Sequence, residues 1–190
     1  IFLYETPELR IESSDSDRNV YKNAYDLVER IGSLGYYGGD RLIKAAIRKF
    51  FTYCMENNIK LDYRNFSIRY NSSIPRQVGL GGSSAIVTAT MRALMKFFKI
   101  SIPKELLPSL ILAAEVDELG INAGLQDRVI QVYEGCVYMD FNREIMEQKN
   151  HGIYIPLDKS KLPKLYLAYK TSLSKVSGQS LNDIKVRYER

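Results

Sequence analysis

Gly79, Gly81 and Gly82, followed at once by Ser83 and Ser84, are the residues of this chain whose types and spacing could do chemistry. Glycine has no Cβ, so three glycines within four positions let a backbone turn at positive φ and approach a ligand closely. An apolar, helix-forming run at 86–98 follows, which places the serines where a helix begins. Free N–H groups and the positive end of the helix dipole favour an anion there, and successive glycine N–H groups can form a concave nest for phosphate oxygens. The pattern is neither G-x-x-x-x-G-K-[ST], since no lysine follows the last glycine, nor G-x-G-x-x-G. An ordinary N-cap by Ser83 or Ser84 also accounts for the serines, although it leaves the three glycines unexplained. A phosphate cradle and a structural cap are therefore both open on the pattern alone.

The longer stretch Pro75-Arg-Gln-Val-Gly-Leu-Gly-Gly-Ser-Ser-Ala85 resembles the glycine-rich second motif of the GHMP kinases. That family includes galactokinase, homoserine kinase, mevalonate kinase and phosphomevalonate kinase. More narrowly, the chain resembles the glucuronokinase branch. Three further stretches carry this match: Tyr37-Gly-Gly-Asp-Arg-Leu42, the run from Glu115 through Gly-Leu-Gln-Asp-Arg-Val129 to Tyr138-Met-Asp-Phe141, and His151-Gly-Ile-Tyr154. The resemblance implies an α+β fold in two layers, a mixed β-sheet packed against helices. It implies an N-terminal, ATP-binding GHMP domain at 1–157 and the truncated start of the C-terminal domain at 158–190. The family's first motif is then expected before Ile1 and its third after Arg190.

Phosphoryl transfer from ATP needs a phosphate cradle, Mg²⁺ to offset charge, and a group that orients or deprotonates the attacking hydroxyl. Mg²⁺ takes hard oxygen ligands and keeps several waters, so one carboxylate and one hydroxyl are sufficient from the protein. By resemblance, Gly79, Leu80, Gly81, Gly82, Ser83 and Ser84 hold the phosphates, while Ser83 and Glu115 face the metal. Ser84 is a possible substitute for Ser83, and its plainer role is a helix cap. Asp127 matches the family's aspartate that faces the substrate hydroxyl, where a carboxylate can accept the proton or orient the hydroxyl. Without the resemblance, Asp127 reads equally well as a helix N-terminal acid stabilised by the dipole. Arg41 and Arg76 lie in the glucuronokinase-like stretches and are candidates for binding a sugar carboxylate, because a planar guanidinium suits bidentate pairing. His151 is the only histidine and receives no chemistry.

Composition narrows the alternatives. With 45% hydrophobic and 26% charged residues, the 190-residue chain can bury a sizeable core and does not resemble a disordered one. Its net charge of +5 is scattered rather than striped, and no aromatic-basic motif marks a nucleic-acid partner. Apolar runs such as 110–114 are far too short to span a bilayer, and two isolated cysteines support neither a disulfide framework nor a zinc site. The expectation is a cytoplasmic protein acting on a small sugar or sugar acid, with no nucleic acid and no membrane. The expected reaction is D-glucuronate plus ATP giving D-glucuronate 1-phosphate plus ADP. The rivals are another sugar kinase of the family, acting on galactose or a heptose, and a catalytically silent protein of the same fold.

The elements that must position these residues follow from periodicity. Short apolar stretches at 1–4 and 9–11 read as a hairpin or a pair of edge strands. Asp17 reads as a cap for a helix carrying Val20, Ala24, Leu27, Val28 and Ile31, closed by Gly32. A turn is expected at 35–39 and a long helix at about 40–56, with Ile43, Ala46, Ile47, Phe50, Phe51 and Cys54 on one face. A strand at 65–70 feeds the glycine loop. Helices are expected from Pro103 to about Glu118 and at 125–133, then strands at 135–141 and 165–169. Residues 149–157 read as a loop, and 178–190 as a final helix.

Overall fold

A computed structural model describes residues 1–12, 18–34, 40–74 and 79–169. Strands β1 (Phe2–Glu5), β2 (Leu9–Glu12) and β3 (Arg18–Tyr21) precede helices α1 (Ala24–Leu34) and α2 (Arg41–Glu56). Strand β4 (Phe66–Arg69) then leads through the glycine loop into α3 (Gly82–Phe98), followed by α4 (Leu107–Val116) and α5 (Gln126–Tyr133). The described chain ends with β5 (Cys136–Asp140), α6 (Arg143–Lys149), β6 (Ile153–Leu157) and a 3-10 turn at Lys159–Lys161. The expected turn at 35–39 and helix at 178–190 lie outside the described residues, as do Asp17 and Arg76.

The main sheet runs β1-β4-β2-β3. It is mixed, because β4 pairs antiparallel with β1 and parallel with β2, with Leu3 and Ile11 both in register with Ile68. The first two strands are therefore no hairpin. They flank β4, and β2 is an interior strand paired on its other side with β3, Leu9 opposite Tyr21. Val20 accordingly lies on β3 rather than on a helix. The helix starts only at Ala24, where Asn23 Oδ1 accepts the Asp26 N–H at 2.9 Å, and Gly32 lies within it.

Helix α2 forms as its spacing dictates, with Ile43, Ala46, Ile47, Phe50, Phe51 and Cys54 all buried. It ends where Asn58 enters the left-handed region at φ +55° and the Ile59 N–H reaches back to the Cys54 carbonyl at 2.8 Å. Burial pushes the Cys54 thiol up to about 11 by desolvation. Leu9, Ile11, Phe66 and Ile68 of the sheet share one core with α2 and with Val87, Met91, Leu94 and Phe98 of α3. Helix α4 starts at Leu107, later than expected, with Pro108 in its first turn.

The segment 149–157 is not the expected loop, since β6 pairs antiparallel with β5, Cys136 opposite Leu157 and Asp140 opposite Ile153. Among the described residues this sheet has two strands, so each has an edge without a ladder partner, where Pro156 is tolerated. Gly152 is required at its start, since a Cβ there would lie 2.3 Å from the Asp140 carbonyl oxygen. No strand forms at 165–169. Leu165, Tyr166 and Leu167 are exposed, and the apolar run there finds no neighbouring ladder among the described residues.

Candidate active site

The glycine loop is built as its composition requires. Gly79 and Gly81 adopt φ +76° and +63°, and Gly81 is the left-handed N-cap residue of α3. The cap is thus the glycine and not a serine, which removes the simple capping reading of Ser83 and Ser84. Ser84 is fully buried, and its hydroxyl donates to the Gly81 carbonyl at 2.9 Å while accepting from Gln131 Nε2 at 2.9 Å. Ser83, the second residue of α3, is half-buried and makes no side-chain hydrogen bond among the described residues. Leu80 is half-buried and Gly79 exposed.

Helix α5 brings Asp127 to this loop. A Cβ built on Gly81 would lie 3.6 Å from Asp127 Oδ2 and 3.1 Å from Gln131 Nε2, so the side of Gly81 that a larger residue would fill faces both. Asp127 stands in the first turn of α5, its side chain 59% exposed, where a substrate can reach it. Gly82 and Gln126 thereby begin two helices that converge, both with the positive dipole end at the site.

Glu115, on the last turn of α4, is wholly buried and paired with Arg128 of α5. Arg128 donates from Nε to Glu115 Oε2 at 2.8 Å and from a terminal nitrogen to the same oxygen. Its other terminal nitrogen donates to the Gly124 carbonyl at 2.9 Å and lies 3.6 Å from Asp127 Oδ2. Arg128 therefore links the two carboxylates. Glu115 Oε1 is left buried without a hydrogen-bond partner. A buried charged oxygen without a partner requires an explanation, and a hard cation supplies one. The donor types fit Mg²⁺: a carboxylate oxygen with a free lone pair and a Ser83 hydroxyl that has no partner among the described residues.

Arg41, the first residue of α2, is exposed, and no hydrogen bond or ion pair among the described residues joins it to Asp127 or the loop. Gln131 is a site residue that sequence reasoning missed. It stands one helical turn after Asp127, and that i, i+4 spacing was the available signal. His151 contacts the Gly152 carbonyl at 2.8 Å beside Tyr154, a structural position at the start of β6.

The GHMP kinases N-terminal domain matches residues 41–135. The chain is 51% identical over 145 residues to glucuronokinase 1 of Arabidopsis thaliana, covering 75% of this chain and 40% of that protein. It is 48% identical over 166 residues to the probable glucuronokinase 2 of the same organism, covering 86% and 45%. The chain thus spans less than half the length of these two curated relatives. Among solved structures, a mevalonate kinase superposes with a TM-score of 0.59 at 22% identity, over 72% of this chain and 42% of the other, and shares the fold. The architecture, the loop-to-Asp127 geometry and these matches agree, and the chain belongs to the GHMP kinase family.

Proposed function

We propose that the chain is the nucleotide-binding part of an ATP- and Mg²⁺-dependent kinase that phosphorylates D-glucuronate at its anomeric hydroxyl, giving D-glucuronate 1-phosphate and ADP. The observation that carries this reading is the approach of Asp127 Oδ2 to within 3.6 Å of the Cβ position of Gly81, which sets a carboxylate beside a helix-start anion site. ATP supplies the transferred phosphoryl group, and Mg²⁺ offsets its negative charge. The N–H groups at the start of α3 hold phosphate oxygens, as unpaired helix-start donors do. Asp127 accepts the proton of the sugar hydroxyl, or orients it, as the oxygen attacks. Glu115 and Ser83 hold the metal, with Arg128 fixing Glu115 from the other side.

The carboxylate of the sugar acid falls to Arg41 or Arg76, the cations of the glucuronokinase-like stretches. Residues 1–157 form the N-terminal domain and 158–190 begin the next, consistent with the exposure of Leu165, Tyr166 and Leu167 once the chain leaves the 3-10 turn. Cys54 and Cys136 are free thiols, which suits the cytosol. None of the described helices is long and apolar enough to cross a membrane.

The test is ADP release by the full-length protein with a panel of D-glucuronate, D-galacturonate, D-galactose, a heptose phosphate and mevalonate. Release is expected with glucuronate well above the rest. Release with a neutral sugar and none with glucuronate would overturn the substrate assignment.

A further inference from the structure

We infer that Gln131 is a positioning residue for phosphoryl transfer, aiming the Gly82 N–H at the incoming phosphate and tying the loop to the helix that carries Asp127. This rests on the kinase reading above. Asp127 and Gln131 lie one turn apart on the same face of α5, and both face Gly81. The Gln131 amide is fully used there: Nε2 donates to the Gly81 carbonyl at 3.1 Å and to Ser84 Oγ at 2.9 Å, while Oε1 accepts from Thr88 Oγ1 at 3.0 Å. Reversing the amide would set its oxygen against the Gly81 carbonyl, one acceptor against another, so the network permits a single orientation.

The Gly81 carbonyl collects three donors, the Ala85 N–H at 3.0 Å, the Ser84 hydroxyl at 2.9 Å and the Gln131 amide at 3.1 Å. No peptide bond among the described residues is cis, and in a trans peptide the C=O and the following N–H point in opposite directions. Pinning the Gly81 oxygen toward the interior of α3 therefore turns the Gly82 N–H outward from the helix start, where it is one of the donors without an intrahelical partner. Glycine at 81 would otherwise leave that peptide plane free to rotate. The clamp thus sets the anion donor in advance, and because it is anchored on α5 it keeps that donor in register with Asp127.

The experiment uses the full-length protein with Gln131→Met, which keeps length but makes no such bonds, and Gln131→Glu, which keeps an acceptor and loses both donors. Calorimetric binding of Mg-ADP is measured together with KM for ATP, KM for glucuronate and kcat. Losing two neutral hydrogen bonds to the loop is expected to weaken nucleotide binding about tenfold in Gln131→Met, and further in Gln131→Glu, with KM for glucuronate within about twofold. Ser84→Ala combined with Gln131→Met is expected to be no worse than about twofold beyond Gln131→Met alone, since both act on one network. Nucleotide affinity unchanged in both Gln131 variants would overturn the positioning role and leave the kinase reading intact. Equal losses for nucleotide and sugar would also overturn it, as a merely structural effect. Failure of the unmodified protein to bind Mg-ADP would remove both.

Discussion

Glu115 is the residue whose environment is hardest to explain without a bound cation. A carboxylate with 0% exposure is costly unless paired, and Arg128 offsets that cost through Oε2 alone. Glu115→Gln keeps an oxygen for Arg128 and removes the charge, so the protein should fold while the metal site weakens. We expect turnover to fall and the Mg²⁺ concentration for half-maximal rate to rise, as read from metal titrations of the full-length enzyme. A titration superimposable on that of the unmodified enzyme would show that Glu115 is not a metal ligand. The loop glycines were legible in the sequence because positive φ is a local property, whereas Glu115 and Asp127 were picked out by the family resemblance. Their partners were not, since Gln131 reaches Gly81 across 50 positions and Arg128 reaches Glu115 across 13, and only the fold closes those distances.

At the scale of elements, the site depends on how α3 is held at its far end. Phe98 packs edge-on against Phe51 and Phe97 with centroids at 5.5 and 4.9 Å, and contacts Phe50 and Phe66, so one ring joins α2, α3 and β4. Phe98→Ala leaves a cavity at that junction and is expected to lower unfolding free energy by about 3–5 kcal/mol in urea denaturation. A loss under about 1 kcal/mol would mean that the cluster repacks and that α3 is anchored elsewhere. The long helix α2 was readable because Ile43, Ala46, Ile47, Phe50, Phe51 and Cys54 form an apolar stripe with one period. Strands β3 and β6 and helix α6 were not. Val20 fits the phase of the helix that follows it, β6 contains Pro156 and starts after Gly152, and α6 buries no residue and so carries no stripe. The strand expected at 165–169 shows the converse, since a short apolar run becomes a strand only where a neighbouring strand is present to pair with it.

For the whole molecule, the proposed kinase reading rests on two helix starts, those of α3 and α5, meeting so that phosphate donors stand beside the carboxylate that would activate the acceptor hydroxyl. The mixed sheet and the α2–α3 core hold the first, Gln131 holds the second to it, and Arg128 ties α5 to Glu115 of α4. Asp127 makes no contribution to the apolar core and is largely exposed, so its replacement tests chemistry rather than folding. The most direct measurement is glucuronate-dependent ADP release by full-length Asp127→Asn, with Mg-ADP affinity determined on the same sample. The expected result is a fall in turnover of about 10²- to 10⁴-fold with nucleotide affinity essentially unchanged, because Asn keeps the size but neither carries the charge nor accepts the proton. Turnover above about a tenth of normal would contradict the claim that Asp127 activates the acceptor hydroxyl.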